Sequence, residues 1–424
     1  MNLIRTSLLN GLAVIIKMIA LLGINKVLAV YVGPAGYAAV GQFQNAVQMI
    51  TTFASGAINT GVTKYTAEYE GDEGRQRTVW RTAGTISIGS SVVLSLLICI
   101  FASDLSYWFL KDAKFASVFI WFSLGLVFFS LNSLFLAILN GKREIVRYVL
   151  ANIIGSVFSL VVTAVLAIQL GLYGALVGLA VYQSLSFLAT FIFCLRLEWF
   201  NIKLFVGRVD TVTAINLSKY TLMALTSALC VPVSHILVRN YLGENLSWDE
   251  AGYWEAMWRL SAAYLLLITT TLSVYFLPRL SAENDKAILK REVLSGLKLL
   301  VPLVIVGGAL VFGLRDLVIQ LLFTEKFSPM RDLFFWQLVG DLLKTCGWML
   351  AYIMLSKPLV KLYVITEMIF SLSFYLLTVM FVKMFGFEGV AIAHAVNYFV
   401  YLVVMYFFVF NRYLGGSRVG EVGA

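Results

Sequence analysis

Charged residues are scarce in this chain of 424 residues. Only 13% of its residues are Asp, Glu, Lys or Arg, whereas 60% are hydrophobic and the mean hydropathy is +0.87. Soluble domains carry about 25% charged residues and roughly 45–50% apolar ones. The longest polar stretches, residues 64–81 and 196–219, are only as long as loops. The composition therefore leaves no room for a soluble domain and predicts an all-α integral membrane protein.

Cysteine and histidine are also rare, with four and two residues. Each cysteine stands alone inside an apolar run, without a C-x-x-C spacing or a nearby histidine, so we expect no metal site and no cofactor. We interpret these cysteines as small core residues: Cys99, Cys194, Cys230 and Cys346. The net charge of +9 lies in short loops, where it determines topology, so we expect no nucleic-acid partner.

Turns and charge clusters divide the chain into twelve predicted membrane spans. They lie at about residues 8–32, 38–62, 82–103, 117–140, 149–170, 174–195, 214–238, 252–277, 295–314, 330–356, 360–383 and 388–411. Of the 32 basic residues, 21 lie at the two termini, in loops that follow even-numbered spans or at the span ends beside them, 7 lie on the opposite side, and four lie well inside spans. By the positive-inside rule, both termini are predicted to be cytoplasmic.

Short motifs recur along the chain at an offset of 215 or 216 positions. They include Ala35-Gly36-Tyr37 with Ala251-Gly252-Tyr253, Trp121 with Trp336, and Gly171-x-x-Gly174 with Gly386-x-x-Gly389. We interpret the chain as two six-helix lobes, residues 1–200 and 214–424, joined by a cytoplasmic linker at 201–213. Because six is even, a pseudo-twofold axis along the membrane normal relates the lobes, and such halves typically expose a substrate alternately.

The first span carries Lys17 and Lys26 but no acidic residue. A cation inside a span is costly and usually faces a partner or an aqueous cavity. At 1.5 Å per residue, Lys17 lies about 15 Å from the cytoplasmic end, near the centre of a core about 30 Å thick. Lys26 lies nearer the outer end, where it either lines a cavity or snorkels. The two lysines fall on opposite helix faces, so Lys17 is the better candidate for an anionic ligand such as a phosphate.

Polar residues also follow one face of the second span. Gln42, Asn45, Gln48 and Asn59 recur at helical spacing, which predicts either the wall of a hydrated cavity or hydrogen bonds between helices.

The second half of the chain carries charges inside its spans. Glu255 and Arg259 are four residues apart, and Asp341 and Lys344 are three apart, so each pair can neutralise itself on one helix face. A structural ion pair is the alternative to a functional role. Glu367 is the best lone carboxylate for coupling to a cation or proton. Two histidines, His235 and His394, are isolated, and we expect them to serve packing rather than proton transfer.

Three segments resemble those of the bacterial Wzx family, flippases for undecaprenyl-diphosphate-linked O-antigen units that include the lipid III flippases of enterobacterial common antigen. These segments are residues 61–65 (GVTKY), 247–254 (SWDEAGYW) and 326–344 (KFSPMRDLFFWQLVGDLLK). The resemblance implies a MATE-like fold with the two lobes in a V, a cationic cavity and a side gate for the polyprenyl tail.

The resemblance also implies the function. The protein would move undecaprenyl-diphosphate-linked O-antigen or related oligosaccharide units from the cytoplasmic to the periplasmic leaflet of the bacterial inner membrane by alternating access. The expected substrate-binding residues are Lys17, Lys26, Arg259 and Lys344 for diphosphate or acidic sugar, and Gln42, Asn45, Gln48, Asn59, Trp258 and Trp348 for sugar. The expected ion-coupling or charge-pairing residues are Glu255, Asp341 and Glu367. Besides the oligosaccharide and membrane lipids, the candidate partners are H⁺ or Na⁺ as coupling ion, and the polymerase and chain-length proteins of the same pathway.

Two other functions remain as alternatives. A cation-coupled multidrug antiporter on the same fold needs a carboxylate in the first lobe, but spans one to six contain none except Asp104 at the margin. A membrane glycosyltransferase or polymerase needs catalytic residues on large periplasmic loops. The predicted outer loops, such as residues 239–252, are short, so we expect a transporter and not an enzyme.

Overall fold

The computed structural model describes the backbone of residues 3–357 and 359–415, with side chains at 11–218, 221–273, 275–357 and 359–415. The extreme ends, which we predicted to be cytoplasmic, lie outside these residues. All elements within them are helical, which confirms the all-α prediction. The α-helices are α1 (Leu3–Tyr31), α2 (Gly33–Ala54), α3 (Asn59–Glu68), α4 (Glu73–Ile100), α5 (Ala102–Leu110), α6 (Ala116–Gly141), α7 (Ile145–Leu195), α8 (Thr211–Asn245), α9 (Trp248–Thr271), α10 (Leu277–Ala282), α11 (Lys286–Gly313), α12 (Arg315–Leu322), α13 (Phe334–Ser356), α14 (Val360–Phe385) and α15 (Gly389–Met405).

Short 3₁₀- and π-helices join these elements. The 3₁₀-helices are Ala113–Phe115, Ile202–Phe205, Glu325–Leu333 and Gly386–Glu388, and the π-helices are Leu272–Phe276 and Tyr406–Tyr413. The chain forms two compact units, unit 1 (Met1–Ile236) and unit 2 (Leu237–Ala424), and α8 runs across the division. In unit 1, α7 packs along α1 and α6; in unit 2, α15 packs along α13 and α14.

Eight helical segments in the described part of the chain are long and apolar enough to cross a membrane. Two of them, Ile145–Leu195 and Val360–Tyr413, have 51 and 54 residues. A span of the hydrocarbon core needs only about 20 residues. Each of these long segments is interrupted by a glycine with non-helical backbone angles.

Gly171 and Gly386 turn the chain in nearly the same way. Their φ and ψ angles are 59° and −135° in the first case and 66° and −145° in the second, a conformation open mainly to glycine. Three residues later, a Cβ on Gly174 or Gly389 would lie 1.9 or 2.3 Å from the carbonyl oxygen eight residues earlier. Both glycine pairs are therefore required by a tight reversal of the helix direction.

The prediction of one continuous helix over residues 38–62 is wrong. The helix α2 ends at Ala54, and Gly56 and Ala57 adopt positive φ angles of 63° and 52° before α3 begins at Asn59. Left-handed residues end an α-helix because they redirect its carbonyl groups. The polar stripe is therefore divided, with Asn59 on a different helix from Gln42.

The predicted outer loop at 239–252 is also wrong. Helix α8 continues to Asn245 and α9 begins at Trp248, so only two residues connect them. The backbone N–H of Glu250 donates a 3.1 Å hydrogen bond to the Ser247 hydroxyl, which caps α9. Arg239 consequently lies inside a helix, where it is only 1% exposed.

The predicted linker at 201–213 packs against α4. The Thr85 hydroxyl donates to the Gly207 carbonyl at 3.1 Å, and the backbone N–H of Asp210 donates to the Thr82 hydroxyl at 3.1 Å. Hydrogen bonds from Thr213 hold the pKa of the Asp210 carboxyl below its usual range, and this carboxylate caps α8.

Candidate functional site

A buried carboxylate in unit 2 lies between two arginines. Arg239 of α8 donates through Nη1 to Oε2 of Glu255 on α9, and Arg259 donates through Nε to Oε1 at 2.7 Å. The three side chains are 1%, 6% and 12% exposed. The sequence spacing correctly indicated that Glu255 and Arg259 can pair, but it did not reveal Arg239. One carboxylate and two guanidinium groups leave this buried cluster with one net positive charge.

Asp341 is the centre of a second buried network. Its carboxylate accepts hydrogen bonds from the Tyr264 hydroxyl, from Nε2 of His394 at 3.0 Å and from Nε2 of Gln337 at 3.4 Å. Asp341 and His394 are both fully buried. The side chains come from α9, α13 and α15, so the network joins three helices of unit 2. A Cβ on Gly340 would lie 2.2 Å from the His394 ring, and glycine at that position therefore permits the approach.

Lys344 lies one turn further along α13 in a cage of aromatic rings. Its Nζ is 4.3 Å from the ring centroid of Trp258, 4.8 Å from that of Trp348 and 5.2 Å from that of Tyr398. Such distances are typical of cation–π interactions, which are strongest when the cation is desolvated. Lys344 is only 7% exposed. The cage brings together Trp258, Lys344 and Trp348, which the sequence had predicted as site residues. Tyr398 was not among the predicted residues.

Asp341 and Lys344 do not form a direct ion pair. Within the described residues, no carboxylate oxygen lies within 4.0 Å of the Lys344 ammonium. The carboxylate is directed to His394 and Tyr264, whereas the long lysine stem carries its charge to the rings. Glu367 on α14 is half-buried, and Oε1 accepts a 3.4 Å hydrogen bond from the Tyr363 hydroxyl of the preceding turn.

Lys17 lines a polar pocket inside unit 1. The pocket has a volume of about 240 Å³ and lies where α1 and α6 meet both halves of α7. Lys17, Ala20, Leu21 and Ile24 form its α1 wall, at the spacing of one helix face. The Lys17 side chain is exposed. Lys26 is half-buried and is not part of the wall.

The polar residues predicted for the second span have different environments. Gln42 is buried, Asn45 is half-buried and Gln48 is exposed. Asn45 donates through Nδ2 to the carbonyl of Pro232 at 3.4 Å, which is an interhelical hydrogen bond within unit 1. The Oδ1 atom of Asn59 is buried without a hydrogen-bond partner among the described residues.

Several residues of these clusters were not found from the sequence. His394 was expected to serve packing, yet it hydrogen-bonds Asp341 from 53 positions away. Tyr264 reaches the same carboxylate from 77 positions away. Asn132 and Tyr182 line the Lys17 pocket but lie in largely apolar predicted spans. No periodic pattern marks them; the only available signal was that a polar side chain inside a span must find a partner.

Comparisons with known proteins agree with the resemblance found in the three segments. Residues 27–332 match the model of a family described as polysaccharide biosynthesis protein. The chain is 33% identical over 406 residues to proteins named lipid III flippase from Escherichia coli (strain K12) and Shigella flexneri. These matches cover 95% of this chain and 96% of each relative.

The fold resembles solved transporter structures. An inward-facing multidrug resistance MATE family transporter of the MOP superfamily matches with a TM-score of 0.78 at 17% identity, over 95% of this chain and 96% of that one. The lipid II flippase MurJ, in an inward closed conformation, matches with a TM-score of 0.74 at 15% identity, over 96% and 87%. These likenesses confirm the MATE-like membrane fold. With its family match spanning more than half of its length, this chain belongs to the polysaccharide biosynthesis protein family.

Proposed function

We propose that this protein is a flippase for lipid-linked oligosaccharides. The single observation that carries the proposal is the 33% identity, over 95% of the chain, to proteins named lipid III flippase. In finer terms, the substrate is an undecaprenyl-diphosphate-linked O-antigen or related unit. The protein moves it from the cytoplasmic to the periplasmic leaflet of the bacterial inner membrane by alternating access.

The proposal includes twelve spans in two six-helix lobes, residues 1–200 and 214–424, with the linker at 201–213 and both termini cytoplasmic. Matching glycine turns at Gly171 and Gly386 support it, because each divides a segment of more than 50 residues into two helices of spanning length. The remaining two spans are α2 and α9, which carry the polar residues and are therefore less apolar.

Positive charge inside the spans supports an anionic substrate. In unit 1, Lys17 is exposed on α1, and spans one to six hold no acidic residue except Asp104 at their margin. In unit 2, the arginine cluster carries a net positive charge, and Lys344 is surrounded by rings. A diphosphate carries charge that ammonium and guanidinium groups bind well. We propose that these cations bind the diphosphate. The amide side chains of the second span, together with Trp258 and Trp348, bind the sugar.

We assign ion coupling to the Asp341 network. Glu255 lies between Arg239 and Arg259, so its negative charge is already neutralised by protein side chains. Asp341 instead contacts neutral or protonatable groups, His394 and Tyr264, which suits a group that gains and loses a proton. H⁺ is therefore the coupling ion that this arrangement favours over Na⁺.

A cation-coupled multidrug antiporter is the second candidate, and the TM-score of 0.78 to a MATE transporter favours it. At 17% identity, this likeness shows the fold and not the cargo. A drug antiporter that carries cationic compounds needs acidic groups around its cargo, whereas the described lining of the Lys17 pocket contains no acidic residue.

Deletion of the gene tests the proposed function in cells. We expect lipid-linked oligosaccharides to accumulate on the cytoplasmic leaflet, with unchanged sensitivity to cationic drugs, and the wild-type gene to reverse the accumulation. Normal transfer of the oligosaccharide together with drug hypersensitivity would instead support the antiporter. Loss of sugar incorporation into the lipid carrier would indicate an enzyme.

A further inference from the structure

The Lys17 pocket of unit 1 contains many polar groups besides the lysine. Among the residues that the structure describes, no carboxylate lines it, and its neutral polar residues include Asn132, Asn152, Ser156, Tyr182, Gln183 and Ser186. A pocket built only to bind a phosphate needs several cations or N–H donors. This pocket offers one cation, so its neutral lining must be explained separately.

The neutral polar residues of the lining offer hydrogen-bond acceptors. Asn132 is 3% exposed, and its Oδ1 has no partner within the part of the chain that the structure describes. Asn152 donates its Nδ2 to the Tyr148 carbonyl at 2.8 Å, which leaves its Oδ1 as an acceptor.

Ser156 and Ser186 also offer acceptor oxygens to the pocket. Ser156 and Ser186 each donate their hydroxyl proton to the carbonyl four residues earlier, at 2.9 Å. Their oxygens keep lone pairs available at the pocket. A phosphate brings only more acceptors, so this part of the lining suits a ligand that donates.

Two side chains can complete the recognition of such a ligand. The side chains of Tyr182 and Gln183 make no hydrogen bond to another described residue, so the tyrosine hydroxyl and the amide group of Gln183 are available to donate or accept. The cation is not inside this acceptor-rich part, because the Lys17 side chain is largely exposed. The pocket therefore combines a polyhydroxyl-binding interior with a positive charge at its rim.

The size of the pocket limits its occupant. About 240 Å³ is less than the roughly 300–1,000 Å³ of pockets that hold drug-sized ligands. We infer that this pocket binds the one sugar that is attached to the diphosphate, with Lys17 against the phosphate and Asn132, Asn152, Tyr182 and Gln183 selecting the sugar. This inference rests on the proposed function and adds to it the residues that distinguish a glycosylated lipid from a bare one.

Binding measurements on the purified full-length protein in lipid nanodiscs test the inference. The probes are undecaprenyl diphosphate that carries one hexose, undecaprenyl diphosphate without sugar, and inorganic diphosphate. We expect Asn132→Leu to weaken binding of the hexosyl probe by at least tenfold and to change binding of the sugar-free lipid by less than twofold. Lys17→Gln should weaken binding of both lipids.

Two further variants make the test independent of one substitution. Asn140→Leu changes an exposed asparagine on the same helix, outside the pocket, and should change neither affinity. Gly155→Ala adds a methyl group to the pocket wall at an ordinary contact distance of 3.4 Å from the Ser186 hydroxyl, so it should fold and still reduce binding of the hexosyl probe.

The outcomes distinguish a failure of the sugar-binding inference from a failure of the flippase proposal. If Asn132→Leu and Gly155→Ala weaken both lipid probes equally, or leave both unchanged while the wild type binds them, the pocket does not recognise the sugar and the inference is wrong, but the flippase proposal stands. If the wild type binds neither lipid probe, both the inference and the proposed function are contradicted.

Discussion

Asp341 accepts a 3.0 Å hydrogen bond from Nε2 of His394, although the two residues are 53 positions apart in the chain. Both side chains are at most 1% exposed. Buried carboxylates are costly unless hydrogen-bonded, and here the Tyr264 hydroxyl and the imidazole supply the bonds. His394 is isolated in the sequence, which therefore did not reveal its buried polar contact with Asp341 in unit 2.

Asp341→Asn should insert and fold but lose coupling to a proton gradient, because an amide cannot gain and lose the proton that we assign to this carboxylate. The measurement is the rate of lipid flipping in proteoliposomes with and without an imposed pH gradient. Asp316→Asn is the matched control, since Asp316 forms only an exposed ion pair with Arg331 at 3.4 Å. An unchanged response to the gradient in Asp341→Asn would exclude Asp341 as the coupling group.

Glu255→Gln should destabilise the protein strongly, because it leaves two buried arginines opposite a neutral amide. Breaking a buried ion pair from one side costs about 3–5 kcal/mol. Glu73→Gln is a close control, because Glu73 and Arg77 have the same i,i+4 spacing and the same 2.7 Å distance as Glu255 and Arg259 but are more than 50% exposed. Removing the exposed pair should cost at most about 1 kcal/mol. Thermal unfolding in detergent measures the stability of both variants. A similar loss of stability in the two would contradict a structural role for the buried cluster.

Lys344→Met should leave the protein folded but reduce flipping at least tenfold. The methionine preserves the apolar stem among the rings and removes the charge that we assign to the diphosphate. Lys344→Arg should retain more activity, because guanidinium groups also stack on aromatic rings. Lys383→Met, at an exposed position near the end of α14, is the control. Full activity of Lys344→Met would show that the cage serves packing alone.

Gly174→Ala and Gly389→Ala should both lower the thermal stability, because each new Cβ would overlap a carbonyl oxygen. Gly89→Ala and Gly307→Ala add a Cβ with no atom within 4 Å. These controls should be neutral or stabilising, since alanine is favoured over glycine in a helix interior by roughly 0.5–1 kcal/mol. If one of the two turn variants is tolerated and the other is not, the two turns are not equivalent.

The membrane class and the helical fold were predictable because burial in lipid leaves a strong signal in composition and in apolar runs. The Glu255–Arg259 contact was predictable because residues four apart on a helix are neighbours. Both depend only on local sequence.

Contacts between helices were not predictable in the same way. Arg239 was placed in a loop because its charge appeared to end an apolar run, yet α8 continues past it and Glu255 neutralises it. The sequence spacing suggested that Lys344 would pair with Asp341, whereas tertiary contacts direct the two side chains to different partners. Helix periodicity specifies which face a residue occupies but not which helix lies opposite.

Flipping of an undecaprenyl-diphosphate oligosaccharide in proteoliposomes of the purified protein tests the central claim most directly. We predict that the wild type moves the lipid between leaflets, that Lys17→Ala inserts normally but loses at least nine-tenths of the rate, and that Lys26→Ala, on the opposite face of α1, loses less. No flipping by the wild type, or a wild-type rate in Lys17→Ala, would contradict the account.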